Sequence, residues 1–421
     1  MANTFLGVLQ NRNFLKLWIG LTGSQFAYNV VNFVIVLHIY DLTKSSTSIS
    51  LVLIAASIPS IIFGPFSGIL ADKVDYQKVM FWASILRMLA VIVLIFSKNN
   101  VLGLLEIVFL ISAISQFFSP ASSASIPLIV KEKKLVAANS MMVTTTYATM
   151  LLGYSVAGPL MGLLTTKGAL LFSAFLYLVA AYVINSMKKY DYKKESKTSL
   201  TRISHGVEHI WLQLKDSVLH LIKNHDLYLP IIRLTLSWAM LGAFIVLIPA
   251  FAEKEIGLST RQVGPYIVAP AGIGMIIGAY FLDKKKSFLY NLATNIGFSF
   301  AGLSLLLLAL YRYYKEVPSA LIIAIVLMVS MGIFSSVVYI SSQTMLHIKA
   351  DSHIRGRIFG ISSMLMSVAM SLPAIFAGGI SDLTSPMTSF LVLALGVLVY
   401  GLVGFFRVRG NELYIGSKNV S

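Results

Sequence analysis

Twelve apolar runs, most of them near 20 residues or longer, dominate the chain and leave it few ways to fold. As a helix, a run of that length crosses roughly 30 Å of hydrocarbon. The runs lie near 14–40, 49–71, 79–97, 101–129, 139–165, 168–187, 227–252, 262–282, 288–311, 318–347, 356–382 and 386–407. Inside a bilayer every backbone N–H and C=O must find its partner within the protein, which leaves helices or a closed barrel. A barrel would show short alternating segments, whereas Leu303 to Leu310 and Phe390 to Phe406 show no alternation. The expected fold is therefore an all-α integral membrane protein with twelve transmembrane helices. Composition agrees: 57% of the 421 residues are hydrophobic and 12% charged, about half the charged share of a soluble protein.

The formal charge of +16 would suggest nucleic acid in a soluble protein; here it reports sidedness. With both termini inside, 24 of the 33 Lys and Arg fall on the inner side and 7 on the outer. Arg87 and Arg233 remain within the membrane. The excess predicts cytoplasmic termini and a cytoplasmic-membrane location. The first run opens with the amphipathic stretch Asn11 to Leu17 and lacks a small-residue cleavage site, so it is expected to be a retained span. There is no cysteine, hence neither a disulfide nor a thiolate metal site.

One long polar connection, 188–226, splits the spans six and six. The predicted organisation is an N-terminal six-helix bundle over 1–187, a linker over 188–226 and a C-terminal six-helix bundle over 227–421. The second part of the linker spaces Ile203, Val207, Ile210, Trp211, Leu214, Val218, Leu221 and Ile222 as a helix lying on the inner membrane surface. Spans 2, 5, 8 and 11 share glycine-rich far ends: Gly64 and Gly68; Gly153, Gly158 and Gly162; Gly272, Gly274 and Gly278; Gly378 and Gly379. Such a recurrence is the mark of internal repeats in secondary transporters, and small residues let helices approach closely. Gly272, Gly274 and Gly278 sit inside an apolar span with no strand before them, which excludes a dinucleotide fold. No phosphate-binding loop, nucleophile–base cluster or metal constellation occurs, so neither an enzyme nor a cofactor is expected.

The segment "GILADKVDYQK" (68–78) resembles the loop 2–3 motif of the major facilitator superfamily: a Gly, three residues, Asp, then a basic residue. The stretches 40–75, 119–140 and 354–382 are similar to its drug-efflux branch of macrolide and enterobactin exporters. Asp75, Tyr76 and Gln77 stand where the motif carries a Gly and two basic residues, while Asp72, Lys73 and Lys78 are kept. In span 5 the antiporter motif is represented by Gly158, Pro159 and Gly162, and span 4 lacks its usual Arg. The resemblance implies two pseudo-symmetric bundles working by alternating access. Spans 1, 4, 7 and 10 would line a cavity, 2, 5, 8 and 11 would meet between halves, and 3, 6, 9 and 12 would face outward. It implies proton-coupled efflux of amphiphilic drugs such as macrolides by a monomer. A siderophore or lysophospholipid exporter is the alternative, and a non-transporting membrane receptor or assembly factor is the reading from another class.

The residues add roles. Gln25, Asn29 and Asn32 in span 1, and Tyr339 and Gln343 in span 10, each share a helical face and are candidates for the cavity, as is Arg233. Spans 6, 9 and 12 carry little that is polar in their middles. Asp72 ends span 2, where its own helix dipole disfavours it; the resemblance makes it an inner latch on the start of span 11, beside Arg355 and Arg357. Asp382 is the mirror case, an outer latch on the start of span 2 near Ser48. Gly68, Lys73 and Lys78 complete the switch, and Gly158, Pro159, Gly162, Gly278 and Gly378 are expected at helix interfaces. Arg87 and Glu106 differ in depth by roughly 7 Å and are expected to pair; both are proton-coupling candidates, Glu106 as the acid and Arg87 as the charge whose approach tunes it. The expected partners are lipid, protons and a small amphiphile.

Overall fold

The computed structural model describes residues 7–71, 75–97, 100–188, 225–282, 290–350 and 355–418. Eleven of its helices are long and apolar enough to cross a membrane. The longest, Leu135–Asn185, is broken at Thr165, whose φ of 64° and ψ of 169° interrupt the helix. The break falls in a Thr-Thr-Lys-Gly turn, and the Thr165 hydroxyl accepts from the Gly168 N–H at 3.4 Å. Counting its two arms gives the twelve spans. They are α1 (Arg12–Thr43), α2 (Ser46–Ala71), α3 (Tyr76–Phe96), α4 (Val101–Ile129), α5 (135–164) and α6 (166–185). The remainder are α7 (His225–Phe251), α8 (Ala269–Leu282, the α-helical part of the Thr260–Leu282 span), α9 (Tyr290–Ala309), α10 (Ala320–Lys349), α11 (Arg355–Leu383) and α12 (Pro386–Lys418).

The chain forms two compact units, Met1–Leu42 with Ile54–Val207, and Thr43–Leu53 with Glu208–Ser421. The grouping differs from a cut at the linker in one respect: the start of α2 belongs with the second unit, for a reason given by Asp382 below. Most of the linker, including its expected surface helix, lies outside the described residues.

In the first unit α3 packs on α4 and on the 135–185 segment. Phe33 of α1 stacks on Tyr154 of α5 at 4.9 Å between centroids. At one end of this bundle, side chains supply the partners that helix C-termini lack. Gln77 donates to the carbonyls of Ile184, Asn185 and Met187 at 2.9, 3.1 and 3.2 Å. Asn11 donates to Ile129 O at 2.8 Å. Gln77, which replaces a basic residue of the loop motif, thus ties α3 to the end of α6.

The second unit is held by glycine contacts between backbones. α9 packs on α12 and α10, α8 on α10, and α7 on α11 and α10. A Cβ at Gly242 of α7 would lie 1.8 Å from Met370 O of α11. One at Gly401 of α12 would lie 2.4 Å from Ser299 N of α9. Only glycine permits this approach. The α7–α8 connection contains two π-helical turns, Ala252–Ile256 and Gly264–Val268.

Candidate functional site

A clasp holds the start of α2. The first N–H groups of a helix have no partner within it and carry its positive dipole end. Asp382, in the last turn of α11, meets them: Oδ1 accepts from Ser46 N at 2.8 Å and Oδ2 from Thr47 N at 2.9 Å. The Ser45 hydroxyl donates to the same carboxylate at 2.6 Å, and the hydroxyls of Ser46 and Ser381 lie 3.1 Å apart. Gly378, one turn earlier, allows the approach, since its Cβ would stand 2.9 Å from Ser46 O. Beside the clasp, Lys44, at a left-handed φ of 52°, pairs with Glu253 of the first π-helical turn at 2.7 Å. Glu255 of that turn pairs with Arg312 at 3.3 Å. These contacts are why residues 43–53 group with the second unit.

Each bundle buries one arginine. Arg87, midway along α3, is 2% exposed. Its Nη1 donates to Ser24 of α1 at 3.0 Å, and its guanidinium lies 4.3 Å from the Phe118 ring of α4 and 5.6 Å from that of Tyr177 of α6. Nε and Nη2 have no hydrogen-bond partner. Arg233 of α7, 3% exposed, donates to the carboxamide oxygens of Asn291 and Asn295 of α9 at 2.7 and 3.1 Å. Its Nε is unpartnered, and Tyr400 of α12 lies beside it.

Several expectations need correction. Glu106 does not pair with Arg87: it is exposed, on the stripe of α4 shared with Leu102 and Leu110, while Arg87 points inward to α1, α4 and α6. The depth estimate was compatible with a pair; the rotational positions on the two helices are not. Arg233 reaches α9 and α12 and also touches Met345 of α10, the helix of Tyr339 and Gln343, at 3.9 Å. Asn29 is 6% exposed and packs on Gly153 of α5, whose Cβ would stand 2.7 Å from its own. It therefore belongs to a helix contact. Spans 6, 9 and 12 are not free of polar groups, because Tyr177, Asn295 and Tyr400 surround the two guanidiniums.

Gln25 and Asn32 are half-buried; the Asn32 and Asn29 amides donate to the carbonyls of Tyr28 and Gln25, both at 2.9 Å. Tyr339 is packed against the core of Leu227, Ile231 and Leu234, and the Gln343 carboxamide oxygen is buried without a partner. Gly278 of α8 faces Ile333 and Ser336 of α10, so its interface lies within the second bundle. Gly158 is buried, Pro159 half-buried, and Gly162 and Lys78 exposed. Gly68 lies in α2. Asp72 and Lys73, and the side chains of Arg355 and Arg357, fall outside the described residues, and with them the inner latch.

Sequence reasoning passed over Lys44, Glu253, Tyr177, Tyr400, Asn291 and Asn295. For Tyr177, Tyr400 and Asn295 the available signal was a polar side chain within an apolar span, which demands a partner; Asn291, at the exposed start of α9, gave none.

Twelve apolar spans in two compact units, each with a buried arginine, make this a polytopic helical membrane protein. The chain belongs to the Major Facilitator Superfamily, whose family model matches residues 17–372. It is similar to BacE of Bacillus subtilis (strain 168), a protein to which bacilysin export has been ascribed: 24% identical over 358 residues, 83% of each chain. It is also similar to Macrolide efflux protein A of Streptococcus pyogenes, 27% identical over 126 residues, 29% of this chain and 31% of that one. The crystal structure of the nucleoside transporter NupG shares the fold with a TM-score of 0.69 at 16% identity, covering 93% of this chain and 98% of that one.

Proposed function

We propose that the protein exports small amphiphiles across the cytoplasmic membrane by alternating access, driven by the proton gradient, as a monomer with both termini inside. The observation that carries this is the Asp382 carboxylate on the start of α2: a contact of few hydrogen bonds, at a helix end, that can be made and broken in a cycle. Asp382 acts as the outer latch and Asp72 as its inner counterpart. The efflux relatives support the direction of transport.

The test uses single cysteines, introduced without background because the chain has none. Asp382→Asn keeps the shape but loses the charge, weakening hydrogen bonds that charge makes roughly twice as strong. Cysteines near Ser45 should label faster from outside in this variant and more slowly in Asp72→Asn. If both variants shift labelling in the same direction, the reciprocal latch is wrong.

Proton coupling is assigned to Glu106, the acid deepest in a span among the described residues. Glu106→Gln should abolish transport driven by a pH gradient while sparing downhill exchange. Uptake into acid-loaded vesicles at the parental rate would remove Glu106 from the coupling step. A receptor without transport would show a ligand-induced stability shift and no flux in either assay.

A further inference from the structure

Glu106 stands apart from the other acids whose side chains the structure describes, which lie at helix ends or in connections. It sits inside α4, about 7 Å along the axis from Val101. Leu102 and Leu110, one turn to either side, are 64% and 49% exposed, and Glu106 is exposed between them. Ser119 and Ser123, the exposed hydroxyls of α4, lie roughly 100–140° around the axis from this stripe. The polar exposed side of the helix is thus a different one. Among the described residues Glu106 makes no ion pair. α3, packed on α4, carries no ionisable side chain from Met88 to Phe96, and its Arg87 turns inward. α2, which meets α4 at Phe63 and Phe117, has none over Ser46–Ala71. α1, which meets it at Tyr28 and Ser112, has His38 and Asp41 at the matching end. On the 135–185 segment the groups there are Tyr154, stacked on Phe33, and the exposed Lys167.

An ionised carboxylate in hydrocarbon is costly unless it reaches water or a partner. Water lies beyond the start of α4, within reach of a side chain that bends that way. The neutral acid can stay in the leucine stripe. We infer that Glu106 faces hydrocarbon and exchanges its proton at the outer surface, which makes it a carboxyl open to covalent modification by a lipid-soluble carbodiimide. This deepens the coupling role given to Glu106 above and rests on that reading for its bearing on transport. In the modification, the neutral carboxyl adds across a C=N bond of the reagent. Its oxygen bonds to the central carbon and its proton passes to one nitrogen. Away from water the acyl–oxygen bond then breaks as the acyl group moves to the other nitrogen, and a stable N-acylurea remains. In water the first adduct is hydrolysed back to the acid and a urea.

The experiment treats the full chain, inserted in liposomes in one orientation, with dicyclohexylcarbodiimide or with a charged, water-soluble carbodiimide. Adducts are mapped by mass spectrometry. Dicyclohexylcarbodiimide should mark Glu106, the charged reagent should not, and Glu106→Gln should lose the adduct. Raising the outer pH should slow labelling, since only the neutral acid reacts, whereas raising the inner pH should leave the rate unchanged. No adduct at Glu106, labelling by the charged reagent at an equal or higher rate, or control by the inner pH overturns the inference. The coupling reading fails separately. If labelled protein still transports along a pH gradient at the unlabelled rate, Glu106 leaves the coupling step and remains a lipid-facing carboxyl.

Discussion

Gly332→Val is expected to prevent the second bundle from assembling, and Gly332→Ala to weaken it by about 3 kcal/mol or more, the upper range for overpacking. The reason lies in the α8–α10 crossing. A Cβ at Gly332 would sit 1.9 Å from Ala271 O and 2.8 Å from its carbonyl carbon, and one at Gly274 would sit 2.0 Å from Val329 O. Both neighbours are backbone, so no side chain can swing aside; the helices themselves must separate. Separation costs the dispersion contacts that drive helix association in lipid, where burial of apolar surface contributes little. Gly396 is the matched control, since its Cβ would meet nothing within 4 Å. Gly396→Ala should be neutral or slightly stabilising, as glycine costs a helix about 1 kcal/mol relative to alanine. Melting temperature and the monodisperse fraction in detergent measure both. Equal melting temperatures for Gly332→Ala and Gly396→Ala would refute the packing argument.

Span number and the glycine-rich character of span 8 were legible because each follows from a one-dimensional pattern. Length against bilayer thickness and small-residue spacing need no partner to be known. The Asp382 contact was legible in part, because an acid at a helix C-terminus lacks a favourable field and must look for one elsewhere. The sequence places the start of α2 near Ser48; it lies at Ser46. What could not be read was rotation about each helix axis. Depth along the membrane made Arg87 and Glu106 plausible partners, yet they face different ways around the bundle. The same ambiguity put Asn29 with the cavity candidates, although it shares a helix with Gln25 and Asn32 and differs from them by only a turn or part of one.

Replacing Arg87 by methionine is expected to stabilise the protein by about 1–3 kcal/mol, within the range seen when a buried charge gives way to a well-packed apolar side chain. A guanidinium at mid-membrane costs about 2.5–3.5 kcal/mol on insertion scales and more when it cannot reach water. Arg87, 2% exposed, offsets this with one hydroxyl and two ring faces, leaving Nε and Nη2 unpartnered. Methionine fills a similar volume, keeps contact with Phe118 and Tyr177 through its sulfur, and removes the guanidinium from beside the hydroxyls of Ser24 and Tyr177; the Ser24 hydroxyl can turn to a carbonyl of its own helix. Arg87→Lys should be the less stable charged variant, since a compact ammonium is more strongly hydrated and loses the planar stacking. Arg233 predicts the opposite sign. Its removal leaves the buried oxygen of Asn295 without its donor, at about 1–3 kcal/mol for a buried polar group. Thermal unfolding in detergent should therefore place Arg87→Met above the parent by several degrees and Arg233→Met below it. If Arg87→Met melts well below the parent, the guanidinium is a structural brace between α1, α4 and α6, and its cost in lipid is already met by Ser24 and the rings.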